Sequence, residues 1–540
     1  MHFIAKIIKN ISVFGITDQF IHNQRIIFII LQQEIIMKKS KLYIILGSVA
    51  TVVVACIITI VCVSCAFSNP LKKASKNLTT YNISASLSTD YVILGKEEIN
   101  YVNKTGSTLK SLSLHLYPRA FRQDATIKPY TKLTQASCFP DGDSYGNLTI
   151  SSVKIGEQNA NWIYAGLDSN ILQIEMPKEL KDGKKIKLNI GFEVVLPKCT
   201  HRLGYYNGTI NVGNWYPVVC GYREGKFDTT PYYATGDPFF SECANYNVNF
   251  SYPAEYACYA TGNQVSGGGN ASGVVTNSYK ALAVRDFALV LTNKGQQQTV
   301  KAGKTNVTYV GYQGDDNIAA CAKISGQAVS YFGKQFGTYP YQNLVVIKSA
   351  FLHGGMEYPN IVIVSDAVDD PEEFSKVIVH EIAHQWWYGL VGNNEAAEAW
   401  LDESLAEYST CLFFEDNTQF GIGYDELIKD ATGSYLIYVD IISSLSGKVN
   451  TAMNLSVNEY INEYEYTYMV YVKGVIMFDS LRQVVGRDKL VSALKKYCKK
   501  YRFKIATGNN LIEILDKNCH KDTAKFMQGW LDGSNVIASN

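Results

Sequence analysis

The chain has 540 residues, 47% hydrophobic and 18% charged, which supplies apolar material for several folded units and lacks the signature of disorder. Fifty Lys and Arg against 49 Asp and Glu leave a formal charge of +1, so nothing marks a nucleic-acid footprint and no polyanion partner is expected. Of twelve cysteines, Cys56, Cys62 and Cys65 lie in one apolar segment and the other nine, from Cys138 to Cys519, are scattered with no C-x-x-C among them, which does not make a disulfide framework; most read as buried thiols, with one or two bridges possible.

In chain order, the first feature is LYIILGSVATVVVACIITIVCVSCAF at 42–67, about 26 residues without a charge where roughly 20 suffice to span a bilayer. It exceeds the about 7–15 residues of a signal-peptide core and has no convincing cleavage site after it, so an uncleaved membrane anchor is expected. Lys38, Lys39 and Lys41 precede it and Lys72, Lys73 and Lys76 follow, a modest bias toward a cytoplasmic amino terminus with the remainder outside the cytoplasm. Residues 1–41 then read as a cytoplasmic segment, with Met37 as an alternative start, and 68–80 as a linker.

Short alternating stretches such as SLSLHLYP, KIKLNIGFEVVLP and NYNVNFSYP, separated by Gly, Asn and Asp, predict a β-rich domain over 81–297. Beyond it the pattern becomes a helix from about Ile318 to Phe332, then strands LVVIKSAF and NIVIVS, then long helices, predicting an α+β domain over 298–540. The expected fold class is therefore multidomain α+β with an amino-terminal anchor.

The chemistry concentrates in VIVHEIAHQWWYG. His380 and His384 are four apart, so on a helix both imidazoles project from one face and can share a metal ion. Asp370, Pro371 and Glu373 announce that helix as cap, first-turn proline and capping-box glutamate. An H-E-x-x-H match alone also fits two helix-face histidines with a solvated glutamate. Against that reading, WLDESLAEY places Glu403 after an 18-residue spacer on a second predicted helix, and two histidines with one carboxylate leave a fourth zinc position open for water. Glu407, one turn on, reads equally as a partner orienting a ligand histidine or as a solvated residue.

H-E-x-x-H with a glutamate at that spacing resembles the gluzincin metallopeptidases, specifically the family of aminopeptidase N (membrane alanyl aminopeptidase) and leukotriene hydrolase. Three further stretches are similar to the family's: FGKQFGTYPYQNLVVI (332–347), GGME (354–357) and VYVKG (470–474). SLSLHLYPRAF and LPKCT resemble its amino-terminal sheet domain, so the likeness runs from about Tyr81 to the end.

The resemblance implies a saddle-like sheet domain, a thermolysin-like catalytic domain and one Zn2+ per chain on His380, His384 and Glu403. It implies Glu381 as general base, Tyr471 as stabiliser of the transition state, and Glu357 as anchor of the substrate α-amine. Gly354, Gly355 and Met356 would form the strand edge along which an extended peptide with a free amino terminus pairs. The chain departs from the family at Tyr358 and Pro359, which stand where G-x-M-E is usually followed by Asn, and GDPFFSECANYNVNF offers no clear equivalent of the sheet-domain residue that helps bind the amine. The family's large helical carboxy-terminal domain is expected to be absent. A membrane-anchored zinc aminopeptidase is the expected function, with a zinc endopeptidase or a non-catalytic surface binding module as alternatives.

Overall fold

Strict in–out alternation makes strands of the residues that follow Thr80. In Val92–Val102, Ile93, Glu97, Ile99 and Tyr101 are buried while Leu94 and Lys96 face solvent, the two-residue period of a sheet with one covered face. Gly95 has a local reason: a Cβ there would lie 2.3 Å from the Phe192 ring on the neighbouring strand. The computed structural model describes residues 70–269, 273–519, 522–535 and 537.

Eight strands form the largest sheet, in the order Asn263–Gly269, Val274–Val284, Ala244–Pro253, Thr80–Leu87, Val92–Val102, Lys185–Val195, Asn147–Ile155 and Gln158–Asn159. Only Thr80–Leu87 and Ala244–Pro253 run parallel within it. Two four-stranded sheets accompany it, and Trp215, Tyr216, Tyr246, Phe250 and Phe287 form a buried aromatic cluster of edge-on and tilted rings, with Tyr246 and Phe250 on the strand Ala244–Pro253.

From Gly295 a mixed five-stranded sheet begins, ordered Gly295–Ala302, Thr305–Tyr312, Asn343–Ser349, Ile361–Ser365 and Gly355–Met356. The helix Ile318–Gln335 is the crossover between the parallel strands Thr305–Tyr312 and Asn343–Ser349, as βαβ geometry requires. The short strand Gly355–Met356 lies at the sheet's edge, antiparallel to Ile361–Ser365. The helix Pro371–Ala383 packs on that strand, and Trp400–Asp416 packs against both Pro371–Ala383 and Lys473–Val485. The first starts as its sequence predicts, with Pro371 in its first turn and the Asp370 side chain accepting from Glu373 N at 2.8 Å, a cap worth about 1 kcal/mol. Trp386 and Trp387 are buried; their indole N–H groups donate to Gly337 O and Ser409 Oγ. Ala74–Asn540 packs as one compact unit.

Two expectations need correction or comment. The single-pass membrane expectation is corrected to what the described residues show, among which no helix is long and apolar enough to cross a membrane; the 42–67 run on which it rested lies outside the described residues, as do 1–41 and 68–69. The nine cysteines from Cys138 to Cys519 are all free and buried, so no bridge forms among them.

Candidate active site

His380 lies in the last turn of the helix Pro371–Ala383, and His384 is the residue that closes it, still in helical conformation. Both Nε2 atoms therefore converge, 2.9 Å apart. Glu403, in the first turn of Trp400–Asp416, brings Oε2 to 3.2 Å from the His380 Nε2 and 3.1 Å from that of His384. These separations match the edges of a tetrahedron around an ion with bonds of about 2.0–2.1 Å, whose corners lie about 3.3 Å apart. The donor set fits one Zn2+.

The ring atoms behind the donors are also committed. Glu407 Oε2 accepts from the His380 Nδ1 at 2.8 Å, and Trp387 O accepts from the His384 Nδ1 at 2.9 Å, so each Nε2 is left as a lone-pair donor. This contact resolves the open reading of Glu407 in favour of orienting the histidine. Burial opposes charge on His380, yet the Glu403 and Glu407 carboxylates raise its basicity well above the ordinary imidazole range; the same field favours a bound cation. Glu403 is held low despite burial, chiefly by His384 and His380.

Glu381 is buried beside the triad, and its Oε2 has no hydrogen-bond partner. Burial pushes its carboxyl up to about 7, against the lowering pull of His380 and His384. A Cβ at Gly355 would lie 2.2 Å from Glu381 Oε1, so only glycine lets the edge strand pass this close. Gly354 has looser surroundings, with Val377 3.7 Å from its would-be Cβ. Met356 is buried, and its Sδ accepts from Arg202 Nε at 3.0 Å.

Glu357 follows on the same strand's end, 3% exposed, with Oε1 unpartnered. Burial first, then Asp237, Glu381 and Glu403, raise its carboxyl well above the usual range, with His384 opposing. Oxygens of Glu357, Asp237 and Glu403 lie within 4.8 Å of one another. Asp237 is a residue the sequence reading missed. It belongs to the Gly236-Asp237-Pro238 turn, in the segment compared only loosely with the family, and its Oδ1 accepts from the buried Arg202 Nη2 at 2.5 Å. A G-D-P turn was the available signal, but nothing local says which way its carboxylate faces.

Tyr471 is half-buried in a π-helical turn, Tyr468–Val472, a form that inserts a residue and is common at functional positions. Its ring stacks on His380 at 5.8 Å and meets Tyr466 edge-on at 5.7 Å. Burial, then the Glu403 carboxylate, hold the phenol protonated well above its ordinary range, leaving it a donor. The neighbours differ: Tyr464 is exposed, Tyr468 stacks on Tyr438, and only Tyr466 shares the Tyr471 environment. In VYVKG the other residues are structural. Lys473 Nζ donates to Thr451 O and Trp530 O, and a Cβ at Gly474 would lie 2.2 Å from Ser404 Oγ beside Glu403. The structure thus brings His380, His384, Glu403, Glu381, Glu357 and Tyr471 together, with Gly354, Gly355 and Met356 forming the strand alongside.

Residues 322–530 match the peptidase family M1 domain. Among curated proteins, the chain is 28% identical to aminopeptidase N of Lactococcus lactis subsp. lactis over 171 residues, 30% of this chain and 19% of that protein. It is likewise 28% identical to human aminopeptidase B over 189 residues, 34% of this chain and 28% of that one. The match thus spans less than a third of the length of either relative. Among solved structures, the M1 zinc metallopeptidase of Deinococcus radiodurans superposes with a TM-score of 0.60 at 14% identity, covering 86% of this chain and 94% of that one. A variant of that enzyme bound to a Tyr-Ser-Ala substrate gives the same TM-score. These likenesses establish a multidomain α+β fold with a β-rich first part and a helical second part.

Proposed function

Residues 322–530 are a peptidase family M1 domain, and from that premise we propose that the chain is a zinc-dependent aminopeptidase, removing the first residue of peptides with a free α-amine. The observation that carries this reading is the buried Glu357 carboxylate, whose Oε1 has no hydrogen-bond partner and which has an oxygen within 4.8 Å of Asp237 and Glu403 oxygens at one end of the metal-binding triad. A buried carboxylate without a cation is costly, and an α-ammonium supplies the missing charge.

A zinc ion on His380, His384 and Glu403 supplies Lewis acidity toward water and a carbonyl. Glu381 takes the proton of the attacking water and delivers it to the departing amine, so the carboxylate is regenerated at the end of each turnover. Its unpartnered Oε2 is free for both transfers. Tyr471 O–H donates to the carbonyl oxygen as that atom gains negative charge. Glu357, with Asp237 beside it, pairs with the α-ammonium and so places the first peptide bond against Glu381. The edge strand Gly355–Met356 offers its free side to an extended substrate.

The test is hydrolysis of one peptide set, offered with free and with acetylated amino termini, by the zinc-loaded full chain with Glu381→Gln as the blank. Cleavage confined to the free-amine set is expected. Cleavage of both sets would make the enzyme an endopeptidase, and cleavage of neither by zinc-loaded protein would leave a binding module.

A further inference from the structure

Arg285 and Asp286 lie between strands Val274–Val284 and Leu289–Thr292 of the β-rich part, and neither belongs to the site described above. Both are buried, at 1% and 3% exposure. Arg285 spends its guanidinium on main-chain carbonyls: Nε donates to Tyr388 O at 2.6 Å, Nη1 to Ser241 O at 3.1 Å, and Nη2 to Lys504 O at 2.6 Å and Leu390 O at 3.3 Å. Space has been cleared for it, since a Cβ at Gly392 would lie 2.1 Å from the guanidinium carbon.

Two of these four carbonyls, those of Tyr388 and Leu390, belong to the turn that leaves the H-E-x-x-H helix. Within that turn Trp387 O is the acceptor for the His384 Nδ1, and the next residue, Tyr388, has φ of 110°, a conformation costly for a bulky side chain unless its surroundings impose it. Arg285 bonds the carbonyl of that strained residue, one peptide unit from the carbonyl that orients the His384 ring.

Asp286 reaches the other half of the site. Its Oδ1 accepts from Tyr216 O–H at 2.8 Å and its Oδ2 from Asn214 Nδ2 at 2.6 Å; Asn214 Oδ1 in turn accepts from Tyr358 O–H at 2.6 Å. Tyr358 follows Glu357 directly, and it stands where the family usually has Asn. Gly213 leaves room for its hydroxyl, which would lie 2.0 Å from any Cβ there. Gln385, adjacent to His384, donates to both Glu357 O and Tyr358 O at 3.2 Å, so the two halves are also tied to each other.

We infer that Arg285 and Asp286 are positioning residues for the proposed reaction: Arg285 sets the His384 ring through the Tyr388 turn, and Asp286 sets Glu357 through Asn214 and Tyr358. This inference rests on His384 as a zinc ligand and Glu357 as the amine anchor. It makes the β-rich part a determinant of metal affinity, although it contributes no metal donor, and gives Tyr358 a defined task.

The experiment measures zinc affinity of the full chain by competition with a chromogenic chelator, alongside the melting temperature, for Arg285→Gln, Arg285→Lys and Val194→Ala. Val194 is a fully buried residue of the large sheet, so its variant reports loss of stability without touching the turn. Arg285→Gln should weaken zinc about 10–100-fold, the range for loss of a group that supports a metal ligand, with Arg285→Lys between it and the parent. Val194→Ala should keep parental affinity. For the second arm, Tyr358→Phe should keep zinc affinity within about twofold and raise KM for free-amine peptides with kcat little changed.

Arg285→Gln with parental zinc affinity, Lys no better than Gln, or an equal loss in Val194→Ala would overturn the Arg285 role. A Tyr358→Phe variant with parental KM would overturn the Asp286 role. A parent that binds zinc and cleaves nothing removes the aminopeptidase reading and the Asp286 half with it, while the Arg285 half still stands or falls on zinc affinity.

Discussion

The two ends of the candidate site are built in opposite ways. The metal end comes from two neighbouring helices within 28 residues of sequence, His380 to Glu407, and every donor there has a reciprocal partner: Glu403 against both Nε2 atoms, Glu407 and Trp387 O behind them. The amine end draws Asp237, Glu357 and Arg202 from three distant segments, and it holds more carboxylate than the single buried Arg202 can neutralise. One end is electrostatically complete once an ion is bound; the other keeps negative charge in reserve for a substrate cation. The first should therefore govern turnover and the second selection of the substrate.

The largest effect expected is that of Glu381→Gln, which keeps the shape of the side chain and removes its basicity. It should retain zinc yet lower kcat by about 10²–10⁴-fold, and equal turnover by variant and parent would remove Glu381 as the base. Tyr471→Phe comes next, with kcat down about 10²–10³-fold and KM nearly unchanged; a change in KM alone would move Tyr471 out of the metal end and into substrate binding.

At the amine end, Glu357→Gln should cost about 10²-fold in kcat/KM for free-amine peptides, the worth of a charge-assisted buried contact of roughly 3 kcal/mol. Zinc affinity, measured in parallel, should hold. If zinc affinity fell with it, the two ends would not be separable and the comparison would break. The smallest effect is Glu407→Gln, expected to weaken zinc about tenfold through the His380 ring while leaving KM in place; full zinc affinity in this variant would reduce Glu407 to a surface residue.

Legibility differed between the same two ends for a physical reason. Asp370, Pro371 and the four-residue histidine spacing act within one helix, where geometry follows from sequence distance, and the structure shows that cap and that convergence directly. Glu403 could be read because its helix also starts within a short span. Asp237 could not, because its direction depends on the Arg202 guanidinium, 35 residues earlier in the chain, buried behind Met356. Tyr358 looked like a bare departure from the family pattern until its hydroxyl was seen to reach Asn214, 144 residues away in sequence.

By itself the sequence determined the class of strands and helices, the helix that carries His380 and His384, and the residue types able to hold zinc and move a proton, because these follow from periodicity, capping and side-chain chemistry over short distances. Only the tertiary structure decided that Glu407 orients His380, that a π-helical turn stacks Tyr471 on it, that Asp237 reaches the site from the β-rich part, and that Arg285 bonds the turn after the histidine helix while Asp286 bonds the Asn214 that holds Tyr358. Those placements depend on long-range packing of buried polar groups, each of which must find its partner wherever the fold brings one within reach.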